Sequence, residues 1–162
     1  MNQPIIRPIR KTDNSKIAAM IRAVLLEFDV PKTGTVFEDA ALDCMFETYN
    51  KPKATYFVVE DNGQLIGGAG IAQLDNYEGN VCELQKMYYA PVARGRGIGT
   101  KMMETCLQKA TEFDFEACYL ETLPFMKAAQ KLYTRTGFEY LDGPLGNTGH
   151  YSCPVHMLKK LN

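Results

Sequence analysis

The sequence predicts an α+β fold: a mixed, mainly antiparallel central sheet flanked by helices. Three observations carry this. An apolar stripe of helical period covers residues 17–28, two β-rich runs meet at Asn62-Gly63, and three strand-like runs follow one another in mid-chain. Consecutive strands argue against a regularly alternating parallel sheet.

Taken in order, residues 5–8 form a short strand. Ile17, Met20, Ile21, Val24, Leu25 and Phe28 then recur at spacings of three and four, which makes an amphipathic helix with Asp13 or Asn14 as its cap. Pro31 and Gly34 end it. Phe37, Ala41, Met45 and Tyr49 suggest a second, shorter helix. From Ala54 the period changes to that of a strand, and Asn62-Gly63 is a strong hairpin signal. "DNYEGN" is a loop, and residues 81–89 form a third strand. Ile98, Met102, Cys106, Ala110 and Phe113 mark the buried stripe of the next helix. Residues 117–121 form a strand, and residues 127–136 a helix closed by Gly137. Two closing strands, 138–141 and 153–158, flank a glycine-rich loop, "DGPLGNTGHYS".

The chain of 162 residues suits one domain, 1–162, and a domain of this size buries roughly 70% of its unfolded surface. A net charge of −1 supplies no basic field for nucleic acid. The first residues, "MNQPIIRPIR", lack the apolar core of a secretion signal, and the best apolar helix is interrupted by Arg22, so a cytoplasmic protein without a membrane span is expected. Five widely spaced cysteines with no CxxC read as buried free thiols, and only two histidines, His150 and His156, argue against a metal centre.

The chemistry is concentrated in "ELQKMYYAPVARGRGIGTKMM". Gly95, Gly97 and Gly99 alternate between a strand and a helix. Without side chains there, backbone N–H groups can close on a ligand. The first N–H groups of the following helix have no intrahelical partner and the helix dipole adds positive potential, so the turn suits phosphate. Between Gln85 and Met103 there are four basic residues and no acidic one. The bland alternative is a tight turn with solvated arginines. Neither nucleotide motif fits: a P-loop needs Gly-Lys at a spacing that is absent, and the dinucleotide fingerprint meets Thr100 where its third glycine belongs.

Arg94-x-x-Gly97-x-Gly99 resembles the acyl-CoA-binding motif of the GNAT superfamily of N-acyltransferases, (Gln/Arg)-x-x-Gly-x-(Gly/Ala). "AAQKLYTRTGF" resembles a second signature of that family, A-x-x-L-Y-x-x-x-G-F, about 35 residues further on. The element order agrees over nearly the whole chain. The resemblance implies that main-chain amides of Arg94, Gly95, Arg96, Gly97, Ile98, Gly99 and Thr100 hold the diphosphate of acetyl-CoA. It implies that Met87, Tyr88 and Tyr89 offer backbone groups to the pantetheine arm and the thioester carbonyl, and that Tyr133 protonates the leaving thiolate. Many members carry Asn where this chain has Met126, three residues before Ala129.

The acceptor must lose a proton before it attacks. Glu83, on the strand leading to the turn, is the candidate base, directly or through water; a salt bridge or a solvated edge would explain it equally. His150, in the last loop, is a base, a substrate contact or a loop hydrogen-bonder. Six acids from Glu27 to Glu47 against one base, Lys32, suggest either an acidic rim for a cationic amine, with Glu27 as a substrate contact, or a solvated helix face. The resemblance thus implies acetyl transfer from acetyl-CoA to a primary amine of a small molecule or amino acid, with no metal. The alternatives are a peptide or protein amine as acceptor, and a non-catalytic acyl-CoA sensor or assembly subunit. A homodimer is compatible with all of these.

Overall fold

A computed structural model describes residues 3–161. Seven strands form one sheet: β1 (Ile5–Pro8), β2 (Thr55–Asp61), β3 (Gln64–Gln73), β4 (Val81–Tyr89), β5 (Ala117–Thr122), β6 (Glu139–Tyr140) and β7 (Val155–Lys160). Their spatial order is β1-β2-β3-β4-β5-β7-β6, and only β4 and β5 run parallel. Four helices accompany them: α1 (Asn14–Glu27), α2 (Met45–Tyr49), α3 (Ile98–Glu112) and α4 (Lys127–Arg135). The order of elements is the one expected from the sequence. Among the described residues, no helix is long and apolar enough to cross a membrane.

Each face of the sheet has its own core. Met102, Met103, Cys106 and Ala110 of α3 pack on Ile71, Cys82 and Leu84. Ile17, Ile21, Val24 and Leu25 of α1 pack on the other face with Tyr56 and Val58. Burying an aliphatic side chain of this kind contributes about 1.5–3 kcal/mol, so the helical stripes are what fasten the helices to the sheet.

The parallel pair decides where ligands can go. β4 and β5 are registered only over Val81↔Ala117, Cys82↔Cys118 and Glu83↔Tyr119. Past Glu83 the strands part, and a cleft opens at the carboxyl ends of both.

Three expectations need correction. The second helix is fragmented: Val36–Glu38 and Ala40–Asp43 are single 3-10 turns and only Met45–Tyr49 is α-helical. The break falls at Asp39, whose extended backbone (φ −62°, ψ 121°) frees its carboxylate for long-range contacts. Phe28 does not continue the buried stripe of α1; it is 37% exposed and lies beneath the Arg94 guanidinium. Cys44 is exposed, while the other four thiols are buried as expected.

Candidate active site

Three adjoining spaces follow the parting of β4 and β5. The first, about 460 Å³, runs between the glycine turn and α4 and reaches Met87, Tyr88, Tyr89 and Tyr133. The second, about 60 Å³, is a narrow junction lined by Glu83, Met87, Tyr88, Glu121, Tyr133, His150 and Cys153 among others. The third, about 280 Å³, is polar and bordered by Asp39, Tyr49, Asp75, Glu83, Lys86 and His150. Tyr133 borders the first two spaces and Glu83 the last two, so the junction lies between a long cleft and a small polar cavity.

The turn is built for close approach. Gly95 and Gly97 adopt φ of 74° and 75°, a region that side chains disfavour, and nothing lies within 4 Å of where their Cβ atoms would be. Gly97 is the N-terminal cap of α3, and the first helical bond runs from Lys101 N–H to the Gly97 carbonyl at 3.3 Å. Donors of Ile98, Gly99 and Thr100 therefore have no intrahelical acceptor. These residues fit a diphosphate: bare main-chain donors, an open concave surface and the positive end of a helix of 15 residues.

The two arginines play another part. Arg94 holds Glu27 with two bonds, 2.6 and 2.8 Å, and donates to the Tyr89 carbonyl at 2.8 Å. Arg96 reaches Asp61 at 3.2 Å and the Val92 carbonyl at 3.2 Å. Both side chains brace the loop against α1 and the β2–β3 hairpin. The potential facing the cleft thus comes from the backbone of the turn together with Lys127 and Arg135 of α4, which line the same space. Glu27 accordingly sits beside the glycine turn rather than beside Glu83 and His150.

Glu83 is 4% exposed. Burial pushes its carboxyl up to about 7, against the opposing hydrogen bond from Gln85 Nε2 at 2.7 Å. Tyr49 in turn donates to Gln85 Oε1 at 2.5 Å, which fixes the amide. A carboxylate that titrates near neutrality suits proton abstraction. Tyr133 is also buried, and burial raises its phenol well above the ordinary range, so it stays protonated and able to donate. Cys153 lines the junction, but burial pushes its thiol up to about 12, which leaves little thiolate for nucleophilic attack. Cys82 faces the α3 core instead.

Sequence reasoning missed Glu121 here and met Asp39 only as one of six acids of a possible rim. Glu121, on β5, receives the Tyr119 hydroxyl at 2.7 Å and the Thr148 hydroxyl at 2.5 Å. Asp39 receives His150 Nε2 at 2.8 Å and lies 3.5 Å from the Lys86 ammonium. Burial pulls the His150 pKa down, and the Asp39 carboxylate outweighs this and raises it. Both groups depend on contacts between distant segments; the His150–Asp39 bond spans 111 residues. Glu83, Glu121 and His150 each bring a ligand-type atom within 4.8 Å of the others.

The sequence profile of the Acetyltransferase (GNAT) family matches residues 14–138. The chain belongs to the GNAT family of acetyltransferases. It is 42% identical over 159 residues to the uncharacterized N-acetyltransferase YjgM of Escherichia coli K12, covering 98% of this chain and 95% of that one. Its fold matches a GNAT acetyltransferase from Staphylococcus aureus Mu50 with a TM-score of 0.87 at 19% identity, over 99% of this chain and 100% of that one. It also matches YncA from Salmonella typhimurium, solved with its cofactor acetyl-CoA, with a TM-score of 0.79 at 18% identity, over 99% and 95% of the two chains. As a GNAT member the protein is an acyltransferase, and the glycine turn and α4 lie within the matched residues.

Proposed function

We propose that the protein transfers an acetyl group from acetyl-CoA directly to the primary amine of a small molecule or amino acid, both substrates being bound together. One observation carries this reading: a single junction, bordered by Glu83 and Tyr133, lies between a long cleft and a polar cavity.

Acetyl-CoA brings an activated thioester carbonyl and a thiolate leaving group. Main-chain amides of residues 95–100 hold its diphosphate, the Arg94 N–H expected among them being taken by the Pro91 carbonyl at 3.2 Å, and the parted edge of β4 at Met87, Tyr88 and Tyr89 takes its arm. N–H groups near Met87 and Tyr88 polarise the carbonyl. Glu83 removes a proton from the amine, and Tyr133 gives one to the departing sulfur. Holding both partners in line removes much of the entropic barrier. No thiol of the chain needs to carry the acetyl group.

A small acceptor is favoured over a peptide. The polar cavity, about 280 Å³, falls near the lower end of small-molecule sites, which span roughly 300–1,000 Å³. Two of its lining residues, His150 and Asp39, are tied to each other by a long-range bond of 2.8 Å. A free-thiol release assay with acetyl-CoA over a panel of amines tests the proposal. Turnover of small amines is the expected result. Tight CoA binding without turnover of any amine would make the protein a sensor instead.

A further inference from the structure

Strand β4 carries its bulge at a lysine. Pairing with β3 runs through Gly67↔Tyr89 and Gly68↔Tyr88 and resumes at Gly70↔Gln85. Lys86 and Met87 together therefore face the single residue Ala69. Lys86 sits at φ 51°, a conformation unusual for a residue with a Cβ, and its carbonyl receives the Tyr56 hydroxyl at 2.8 Å.

The bulge changes the face on which Lys86 lies. In a regular strand, side chains alternate. Cys82 and Leu84 point into the core beneath α3, while Glu83 and Gln85 line the polar cavity. Alternation would send Lys86 under α3, into an apolar core. Instead Lys86 lines the cavity beside Gln85 and Glu83, and alternation resumes with Met87 against the α3 core and Tyr88 on the opposite face. Two consecutive residues thus serve one face, and the second brings a cation.

That cation is nearly desolvated. The Lys86 side chain is 7% exposed, and its ammonium lies 3.5 Å from Asp39 Oδ2, longer than an N–H···O bond of about 2.9 Å. Asp39 gives its shorter bond, 2.8 Å, to His150 through the same oxygen. An ammonium has three donors, and a buried one calls for acceptors to fill them. Asp75, Glu83 and Lys51 also border the space, so it offers both signs of charge. Glu83 marks the end where the amine must meet the thioester.

We propose that Lys86 binds the carboxylate of the acceptor, so that the preferred acceptor is a free amino acid and not a simple amine or polyamine. This rests on the transferase reading above for the role of the amine. Lys86 is a specificity-determining residue in this assignment; the proton transfers remain with Glu83 and Tyr133.

The test compares amino acids with the amines left by their decarboxylation, in the wild-type protein and in Lys86→Met and Lys86→Arg. Thiol release gives KM and kcat, and calorimetric titration of the CoA-loaded protein gives amino-acid binding independently of turnover. The wild type should favour the amino acid at least tenfold in kcat/KM. Lys86→Met should erase that preference through KM, leaving the decarboxylated amine within about twofold, and Lys86→Arg should restore most of it. Equal use of both substrates by the wild type, or equal losses on both in Lys86→Met, would overturn the assignment. So would a failure of every amino acid to bind the CoA-loaded protein. If amino acids bind the wild type but not Lys86→Met, and no amine is turned over, the carboxylate site stands and the transferase reading falls.

Discussion

Gln85 Nε2 donates to Glu83 Oε1 at 2.7 Å from two residues along the same strand face. The amide holds one carboxylate oxygen in place while burial holds the carboxyl near a pKa of about 7. The two effects oppose each other, and their balance puts the proton equilibrium of the site within the physiological range.

The pH dependence follows from that balance. With Glu83 as the base, kcat/KM should rise with pH through about 7 as its proton leaves, and Glu83→Gln should lose roughly 10²-fold and flatten this limb. Stability should move the other way. The folded-state pKa is raised above that of an unfolded glutamate, so the native protein holds a proton that the unfolded chain has already lost. Folding stability therefore falls as pH climbs from the ordinary glutamate range to about 7. At pH 8, Glu83→Gln should be the more stable protein by on the order of 2 kcal/mol, read by denaturant titration. A variant no more stable than wild type at that pH would show that Glu83 is not desolvated as described.

Tyr133→Phe keeps the ring and its tilted contact with Phe138, 6.0 Å between centroids, and removes only the hydroxyl. Expected are unchanged CoA affinity by calorimetry and a fall in kcat of roughly 10²-fold, the scale of general acid catalysis. An unchanged kcat would take Tyr133 out of the proton path.

Gly97→Val tests the turn. Its φ of 75° strains any residue with a Cβ, and the branched side chain would stand where the diphosphate is to be held. Strain of this kind costs about 1–2 kcal/mol, so the fold should survive with a modestly lower melting temperature while CoA binding is lost. Retained CoA affinity would move the diphosphate elsewhere.

Glu27→Ala separates two roles for that acid. Its two bonds to Arg94 brace the segment that presents the glycines. The variant should raise KM for acetyl-CoA several-fold and leave KM for the amine unchanged. The reverse pattern would return Glu27 to the acceptor side.

The parts of the site that were legible in the sequence are those made by neighbours along the chain. Gly95 and Gly97 announce a bare turn because the conformation they allow is local, and the stripe on α3 announces its buried face for the same reason; Gly99 belongs to the first turn of α3 and faces Leu132 instead. Tyr133 was legible only through the resemblance of the segment around it. Glu121 was not legible, and neither was the place that Asp39 and Lys86 take in the site. Asp39 gains its place by breaking a helix that the apolar spacing favoured, and its partner lies 111 residues away. Lys86 gains its place from a bulge, and a bulge is a property of register between two strands, which no spacing within one strand reveals. Phe28 misled because its period matched the stripe while the helix ended one residue before it.

The parting of β4 and β5 means that the middle of the sheet is fastened by three residue pairs and then left unzipped. A guest lying in that gap would act as a seam between the two halves of the molecule. Amide protons along residues 84–89 and 120–122 should then exchange more slowly when CoA is added than they do in the protein alone, so that the catalyst is stiffest when loaded.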